Sequence, residues 1–319
     1  LPIKEKQVAL DYVQNLLTDQ EDYVGDLYKL LSDEKLLGSF LPADPKLGEH
    51  LSYLSRMVDK NRRKNYLDYY DMSLILRLIQ IKYGGLPNKD GGISEFDHLV
   101  VDEAQDFGPV EFSIMMDAVG DKRDLTIVGD VSQKILFSRK FIGWENILDN
   151  LEIKKDTLIQ LEVSFRCTVP IMNLARKVEG RKDPVSFGRP GSPVIWHRAV
   201  DQNDFLETLA GWVKGLMEKD PYKLIALICR YPKQAMELKD ELERMVSCEV
   251  RIGHRDQFSF EPGVIISNIH QIKGLEFDAV ALINPSEEFY PSKNIESRNM
   301  IYVGITRAQE DLLVIGNNS

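Results

Sequence analysis

DHLVVDEAQDFGPVEFSIMMDAVGDKRDLTIVGDVSQ, residues 97–133, decides how the rest of the chain reads. Two short apolar runs, His98–Val101 and Leu125–Val128, each end abruptly at an acidic residue. Runs of that length predict parallel strands buried on both faces of a sheet. Val110–Val119, between them, predicts an amphipathic helix. An acid just past such a strand lies at the carboxyl edge of the sheet, where open α/β sheets bind their ligands. The first run leads into Asp102-Glu103-Ala104-Gln105-Asp106, the second into Gly129-Asp130 with Gln133 close behind. Carboxylates at strand tips suit magnesium and nucleotide phosphates. The chain has no GxxxxGK[ST] loop, so half of a phosphate site is present without the other half.

Outward from this stretch, 319 residues imply two domains or three. The three cysteines, Cys167, Cys229 and Cys248, form neither a CxxC pair nor an even disulfide framework. That usage fits a reducing cytoplasm. No apolar run approaches the ~18 residues of a membrane span. The net charge of −10 argues against strong nonspecific nucleic-acid affinity, although it leaves room for a local basic groove. The chain starts at Leu1, without an initiator Met or a basic-then-apolar leader, so we expect a fragment of a longer protein.

Residues 1–83 read as helical. Ala9, Val13, Leu16 and Leu17 recur at helical spacing, as do Leu27, Leu30 and Leu31, and Asp71–Ile79 forms a further helix with an acidic start. Glycines and prolines between Gly84 and Gly92 predict a loop. A second α/β unit is expected from Leu158. Its strands are Leu158–Val163, Val194–His197, Leu224–Cys229, Val264–Asn268, Ala279–Ile283 and Leu312–Ile315. Helices near Ile171–Val178, Asp204–Glu218, Lys233–Met245 and Glu296–Tyr302 separate them, which implies a parallel sheet with helices on both faces.

Several residues suggest phosphate chemistry, each with a plainer alternative. Phosphoryl transfer to water needs a metal near the phosphates and a group that orients the water. Asp102 and Glu103 can divide those roles, Asp102 holding magnesium through water and Glu103 acting as base. A bare acidic pair would be a solvated turn, but DEAQD after a VV run is far more specific. Gln133 can bond a γ-phosphate or its attacking water, although GDxxQ alone is a common turn. In LEVSFR, Phe165 could stack on a base and Arg166 reach a phosphate. The alternative is a core Phe beside a surface Arg. In NIHQIKGLEFD, Gly274 permits a tight backbone approach and Glu276 could accept from a ribose hydroxyl. His270 in the same run is more often structural than catalytic. Arg307, in RNMIYVGITR, is an arginine-finger candidate or an exposed cation on a helix.

In this order, the residues resemble the UvrD/Rep-like superfamily 1 helicases over roughly residues 70–319. DEAQD is similar to that family's motif II, GDVSQ to motif III, LEVSFR to motif IV, NIHQIKGLEF to motif V and YVGITRA to motif VI. The resemblance implies an ATP-driven translocase, moving 3′ to 5′, with RecA-like parallel-sheet domains of the P-loop NTPase type and ATP in the cleft between them. It implies a helical 1B-like subdomain over 1–95, the remainder of a partial domain 1A over 96–154, and a complete domain 2A over 155–319. By position, Asp102 and Glu103 become the magnesium and water-activating residues, and Gln133 the γ-phosphate sensor. Arg166 and Arg307 become phosphate-binding arginines, Phe165 the base-stacking aromatic where the family usually has Tyr, and Glu276 the ribose contact. The implied cofactors are ATP and Mg2+, and the implied partner is single-stranded DNA or a duplex junction.

The family's motif I, with its phosphate-loop lysine, is missing, so the chain alone is expected to hydrolyse ATP negligibly. Only about a hundred residues separate Arg166 from His270, too few for the large 2B insertion of processive repair helicases. After Gln133, the DNA-stacking aromatics of the family are replaced at Leu136 and Ser138, with Phe137, Phe141 and Trp144 as substitutes nearby. Both departures resemble the helicase IV and HelD group. A HelD-like ATPase that acts on RNA polymerase is therefore the alternative to a DNA helicase. A module that has lost its phosphate loop naturally is the third reading.

Overall fold

The computed structural model describes residues 22–40, 46–119, 124–135, 144–150, 158–161, 163–254 and 258–317. The chain divides into two compact units, one of residues 1–129 with 139–152 and the other of residues 130–138 with 153–319. The expected 96–154 segment is thus shared between them. The early apolar positions Ala9 to Leu17, and Leu136 to Phe141, lie outside the described residues.

The described residues of the first unit begin with helices α1 (Tyr23–Ser32), α2 (Glu34–Phe40), α3 (Leu47–Arg63) and α4 (Tyr69–Tyr83). Tyr23 and Leu27 of α1 pack with Ile75 and Ile79 of α4 in a small core. Asp68 caps α4 by accepting from the Tyr70 and Asp71 amides, and Gly84 ends the helix in the left-handed region at φ 73°. The expected loop after Gly84 contains a short antiparallel pair, β1 (Leu86–Pro87) and β2 (Ile93–Ser94). Then come β3 (Leu99–Val101), α5 (Pro109–Asp117), β4 (Leu125–Ile127) and α6 (Trp144–Asn150). β3 and β4 pair in parallel, with Leu99 opposite Leu125 and Val101 opposite Ile127. Gln80 donates from its amide to the Ile114 carbonyl at 2.9 Å, and Arg77 pairs with Asp117 at 2.5 Å, which fastens α4 to α5.

The expectation that these two strands are buried on both faces is not met. Val101 and Ile127 pack with Phe112 and Ile147 against α5 and α6. Val100, on the other face, is 64% exposed, and Val128 is 47% exposed. Among the described residues, the apolar cluster formed with α5 and α6 lies on the Val101 side of the pair. Trp144 packs on that same apolar cluster.

The second unit is a six-stranded, all-parallel sheet in the order β5-β10-β9-β6-β8-β7. Its elements in chain order are α7 (Val169–Val178), β5 (Ile195–Ala199), α8 (Gln202–Lys219), β6 (Leu224–Cys229), α9 (Pro232–Leu242), β7 (Val250–Ile252), β8 (Gly263–Asn268), β9 (Phe277–Ile283), α10 (Ile295–Thr306) and β10 (Ala308–Asn317). Strand residues alternate between two cores. Ala226 and Ile228 of β6 face the α7 and α10 side, and Ile225 and Leu227 face the α8 and α9 side. Strands apolar on both faces need a helical layer on each side, and the chain supplies one. This is a mixed α/β, RecA-like architecture.

One expected strand is absent. The described residues of Leu158–Val163 form no strand, and Ile159 and Leu161 are 79% and 84% exposed. Among the described residues, no strand pairs with this stretch. Conversely, β7 was not expected, because only Val250 and Ile252 mark it around Arg251. Among the described residues, no helix is long and apolar enough to cross a membrane.

Candidate functional site

In the first unit, β3 delivers Asp102 and Glu103 to its carboxyl end. Glu103 lies in the left-handed region (φ 52°, ψ 39°), unusual for a residue with a side chain, so the chain turns sharply there into a short 3-10 segment over Ala104–Asp106. The Asp102 carboxylate accepts from the Glu103 amide at 2.7 Å. The fully buried Gln105 donates from its side-chain amide to the Glu103 carboxylate. Opposite, the Ala104 amide donates to the Val128 carbonyl at 2.9 Å and the Val128 amide to the Val101 carbonyl at 2.8 Å. Gly129 completes this close approach, since a Cβ there would stand 2.5 Å from the Gln105 Oε1 and 3.0 Å from the Ala104 nitrogen. The result is an exposed Asp102 and a half-buried Glu103 whose carboxylate is held by Gln105.

The second unit assembles the other candidates. Asp130 accepts from the Ser132 amide at 2.9 Å and from the Gln133 side chain at 2.9 Å, starting a 3-10 turn over Val131–Gln133. α10 grips this turn. Asn299 donates to the carbonyls of Lys134 (2.9 Å) and Val131 (3.4 Å), and the Tyr302 hydroxyl donates to Asp130 at 3.2 Å. Burial, then the nearby Asp130 and Glu179 carboxylates, push the Tyr302 phenol up, so it stays a donor across the physiological range.

Arg307 follows α10 and is 1% exposed, so it is not a surface cation. Its guanidinium donates to the carbonyls of Val303 (3.3 Å) and Leu275 (3.1 Å) and to the Gln133 Oε1 at 2.6 Å. Gln133 and Arg307, 174 positions apart in sequence, thus meet side chain to side chain.

Arg166 pairs with Glu276 at 2.6 Å, and Gln309 donates to the other Glu276 oxygen at 2.8 Å. The turn bearing Arg166 is fixed from below. Arg189 donates to the carbonyls of Arg166 (2.9 Å) and Gln309 (2.6 Å), and the buried Cys167 thiol bonds the Thr306 carbonyl at 3.5 Å. Burial raises the Cys167 thiol against the opposing pull of Arg166 and Arg307, which keeps it protonated. Phe165 projects outward, 84% exposed, rather than joining the core. Gly274 sits at φ 81°, but nothing lies within 4 Å of a Cβ placed there. The backbone conformation, not a close approach, is therefore what requires glycine.

Sequence reading passed over Asn299, Tyr302, Gln105 and Arg189. For α10 a signal existed: Asn299, Tyr302 and Thr306 recur at helical spacing among apolar neighbours, and all three are buried. Replacing Tyr302 by Phe keeps the ring and removes only the bond to the Asp130 carboxylate. That change is expected to lower the unfolding free energy by about 1.5–3 kcal/mol in urea titrations. An unchanged midpoint would mean that the bond does not hold the turn.

Among the described residues, no group of three or more His, Cys, Asp or Glu could by itself hold a metal. Magnesium does not require one, since one or two carboxylates plus phosphate oxygens and water suffice. Asp102, exposed at a strand tip beside Glu103, fits that use.

Two family models match separate stretches of the chain. The UvrD/REP helicase N-terminal domain matches residues 13–140, and the UvrD-like helicase C-terminal domain matches residues 250–319. The ATP-dependent DNA helicase UvrD2 of Mycobacterium tuberculosis is 28% identical over 166 residues, 48% of this chain and 24% of that protein. DNA helicase II of Haemophilus influenzae is 28% identical over 134 residues, 39% of this chain and 18% of that protein. The ATP-dependent DNA helicase Rep of Buchnera aphidicola is 30% identical over 112 residues, 33% of this chain and 16% of that protein. The chain thus aligns with 24% or less of each of these relatives. The solved C-terminal domain of a possible DNA helicase from Lactobacillus plantarum is 18% identical with a TM-score of 0.39, covering 49% of this chain and 89% of that one.

Proposed function

We propose that this chain, which carries UvrD/Rep-like superfamily 1 helicase sequence towards both its ends, is part of an ATP-dependent DNA helicase that moves 3′ to 5′ on single-stranded DNA. In this reading, residues 1–95 are a 1B-like helical subdomain, 96–154 the remainder of domain 1A, and 155–319 domain 2A. The observation that supports it most is the direct bond from Arg307 to Gln133 in a unit that also pairs Arg166 with Glu276. A buried guanidinium bonded to a side-chain amide can change partner when a γ-phosphate is present and release the amide towards it. Asp102 would hold Mg2+, which supplies charge neutralisation on the phosphates. Glu103 would take the proton from the attacking water. Arg166 and Arg307 would meet the negative charge that spreads over the transferred phosphoryl group, Glu276 would accept from the ribose, and Phe165 would stack on the base.

ATP hydrolysis by the native protein containing these residues, with and without single-stranded DNA, tests the reading. DNA-stimulated turnover is expected. Turnover indifferent to DNA but raised by RNA polymerase would favour the HelD-like alternative. The 319-residue chain alone, lacking a GxxxxGK[ST] loop, is expected to turn over negligibly, and robust hydrolysis by it would overturn that part.

A further inference from the structure

The chain is acidic overall, yet α3 ends in one of its most basic stretches, RMVDKNRRK over residues 56–64. Tyr53, Arg56, Lys60, Arg63 and Lys64 recur at intervals of three and four, which sets them along one helix face. The opposite side of α3 is its inward one, where Leu51 and Val58 are buried. Arg56, Asp59, Lys60, Arg63 and Lys64 line an open cavity of about 350 Å³. The plain alternative is that cations near a helix C-terminus complement its dipole. That effect is confined to the last turn and does not account for Arg56.

The surroundings add a second observation. In the same unit, Lys29 and Lys82 pair with Asp26, and Arg77 pairs with Asp117. Among the described residues, no ion pair involves Arg56, Lys60, Arg62, Arg63 or Lys64. Arg56, Lys60, Arg63 and Lys64 thus line the cavity with Asp59 as the one carboxylate among its lining residues, an excess of positive charge that complements a polyanion. Tyr53 extends the stripe by one turn and is 61% exposed. Tyr53 to Lys64 spans roughly 16 Å at 1.5 Å per residue. Phosphates of one strand advance ~3.4 Å each along a duplex axis, so the stripe is long enough to reach several of them.

We propose that this face of α3 is a nucleic-acid backbone site, taking successive phosphates on Arg56, Lys60, Arg63 and Lys64, with Tyr53 against a sugar or base at one end. The proposal rests on the helicase reading for its choice of polyanion and lies outside all five motifs on which that reading was built.

The test is fluorescence anisotropy of a labelled 20-nucleotide DNA, single-stranded and duplex, titrated with the 319-residue chain without ATP. The Lys60→Glu/Arg63→Glu variant is compared with Lys182→Glu/Lys214→Glu, an equal charge change at exposed positions elsewhere. Binding is expected to weaken about tenfold or more in the first variant and much less in the second. The slope of log K against log salt should become shallower by about 2, since each phosphate contact contributes ~0.9. Equal losses in both variants, no loss in the first, or no binding by the unaltered chain at 50 mM salt would each overturn the site. Displacement of the DNA by polyglutamate at equal charge would make it a general anion site instead and overturn the assignment to nucleic acid. If the charge reversal lowers the melting temperature, Lys60→Gln/Arg63→Gln answers the same question with less repulsion. Patch-dependent binding without DNA-stimulated turnover in the native protein would sink the helicase reading alone, and the converse would sink this site alone.

Discussion

Replacing Arg307 by Ala in the native protein is expected to slow ATP hydrolysis by about 10³–10⁵-fold, the range for a guanidinium that meets the transition-state charge. The same change has a structural cost that must be separated from the catalytic one. Arg307 is buried and donates to the Val303 and Leu275 carbonyls as well as to Gln133. Its loss leaves those acceptors without this donor, at roughly 1–3 kcal/mol each where no water enters. Arg307→Lys is the discriminating variant, because it keeps the positive charge and loses the planar fork. A catalytic arginine predicts that Lys recovers folding more than turnover. If turnover per folded molecule were normal in either variant, Arg307 would be a structural residue clamping α10 to the 3-10 turn.

Much of this arrangement was legible in sequence because its elements carry local signals. β6 is an uninterrupted apolar run, and β8 and β9 carry shorter ones at Val264–Ile266 and Ala279–Ile283, the pattern of a parallel strand covered on both faces. Glu103 and Gln133 were placed by the strand ends that precede them. The Leu158–Val163 run, LIQLEV, carries Gln160 and Glu162 among its apolar residues, and its described residues form no strand. Periodicity reports which side chains avoid water, but a strand also needs a neighbour for its backbone, and Ile159 and Leu161 are exposed. β7 failed in the opposite direction, as a three-residue strand whose pairing with β8 decides its state.

Partners distant in sequence were not legible. Tyr302 meets Asp130 across 172 positions, and Asn299 reaches the Lys134 carbonyl across 165. Nothing local in YVGITR announces that its Tyr will hold an Asp in GDVSQ. The Arg166–Glu276 pair belongs to the same class: each residue was singled out separately, and the sheet brings them within 2.6 Å. The exposed outer face of β3 was hidden for a related reason. Val100 reads as core, yet the described helices packed on the pair gather on the Val101 side and Val100 is 64% exposed.

Glu103→Gln is expected to be the cleaner of the two large effects. The substitution is nearly isosteric and removes the charge and the proton-accepting capacity together. The left-handed conformation at this position is a property of the turn, and Gln meets the same steric demand there as Glu. The contact with Gln105 also survives, because an amide oxygen accepts from the Gln105 side chain as the carboxylate does. Folding should therefore be nearly unchanged in thermal melts. ATP affinity in the native protein should stay within a few-fold, since Asp102 would still hold Mg2+. The kcat should fall about 10²–10⁴-fold, the usual contribution of a positioned general base. The pattern of retained binding with lost turnover separates this role from the alternative, in which Asp102 and Glu103 are merely a solvated acidic turn. A solvated turn predicts unchanged kcat and KM. A large rise in KM with kcat preserved would instead make Glu103 a ligand of the metal rather than the base.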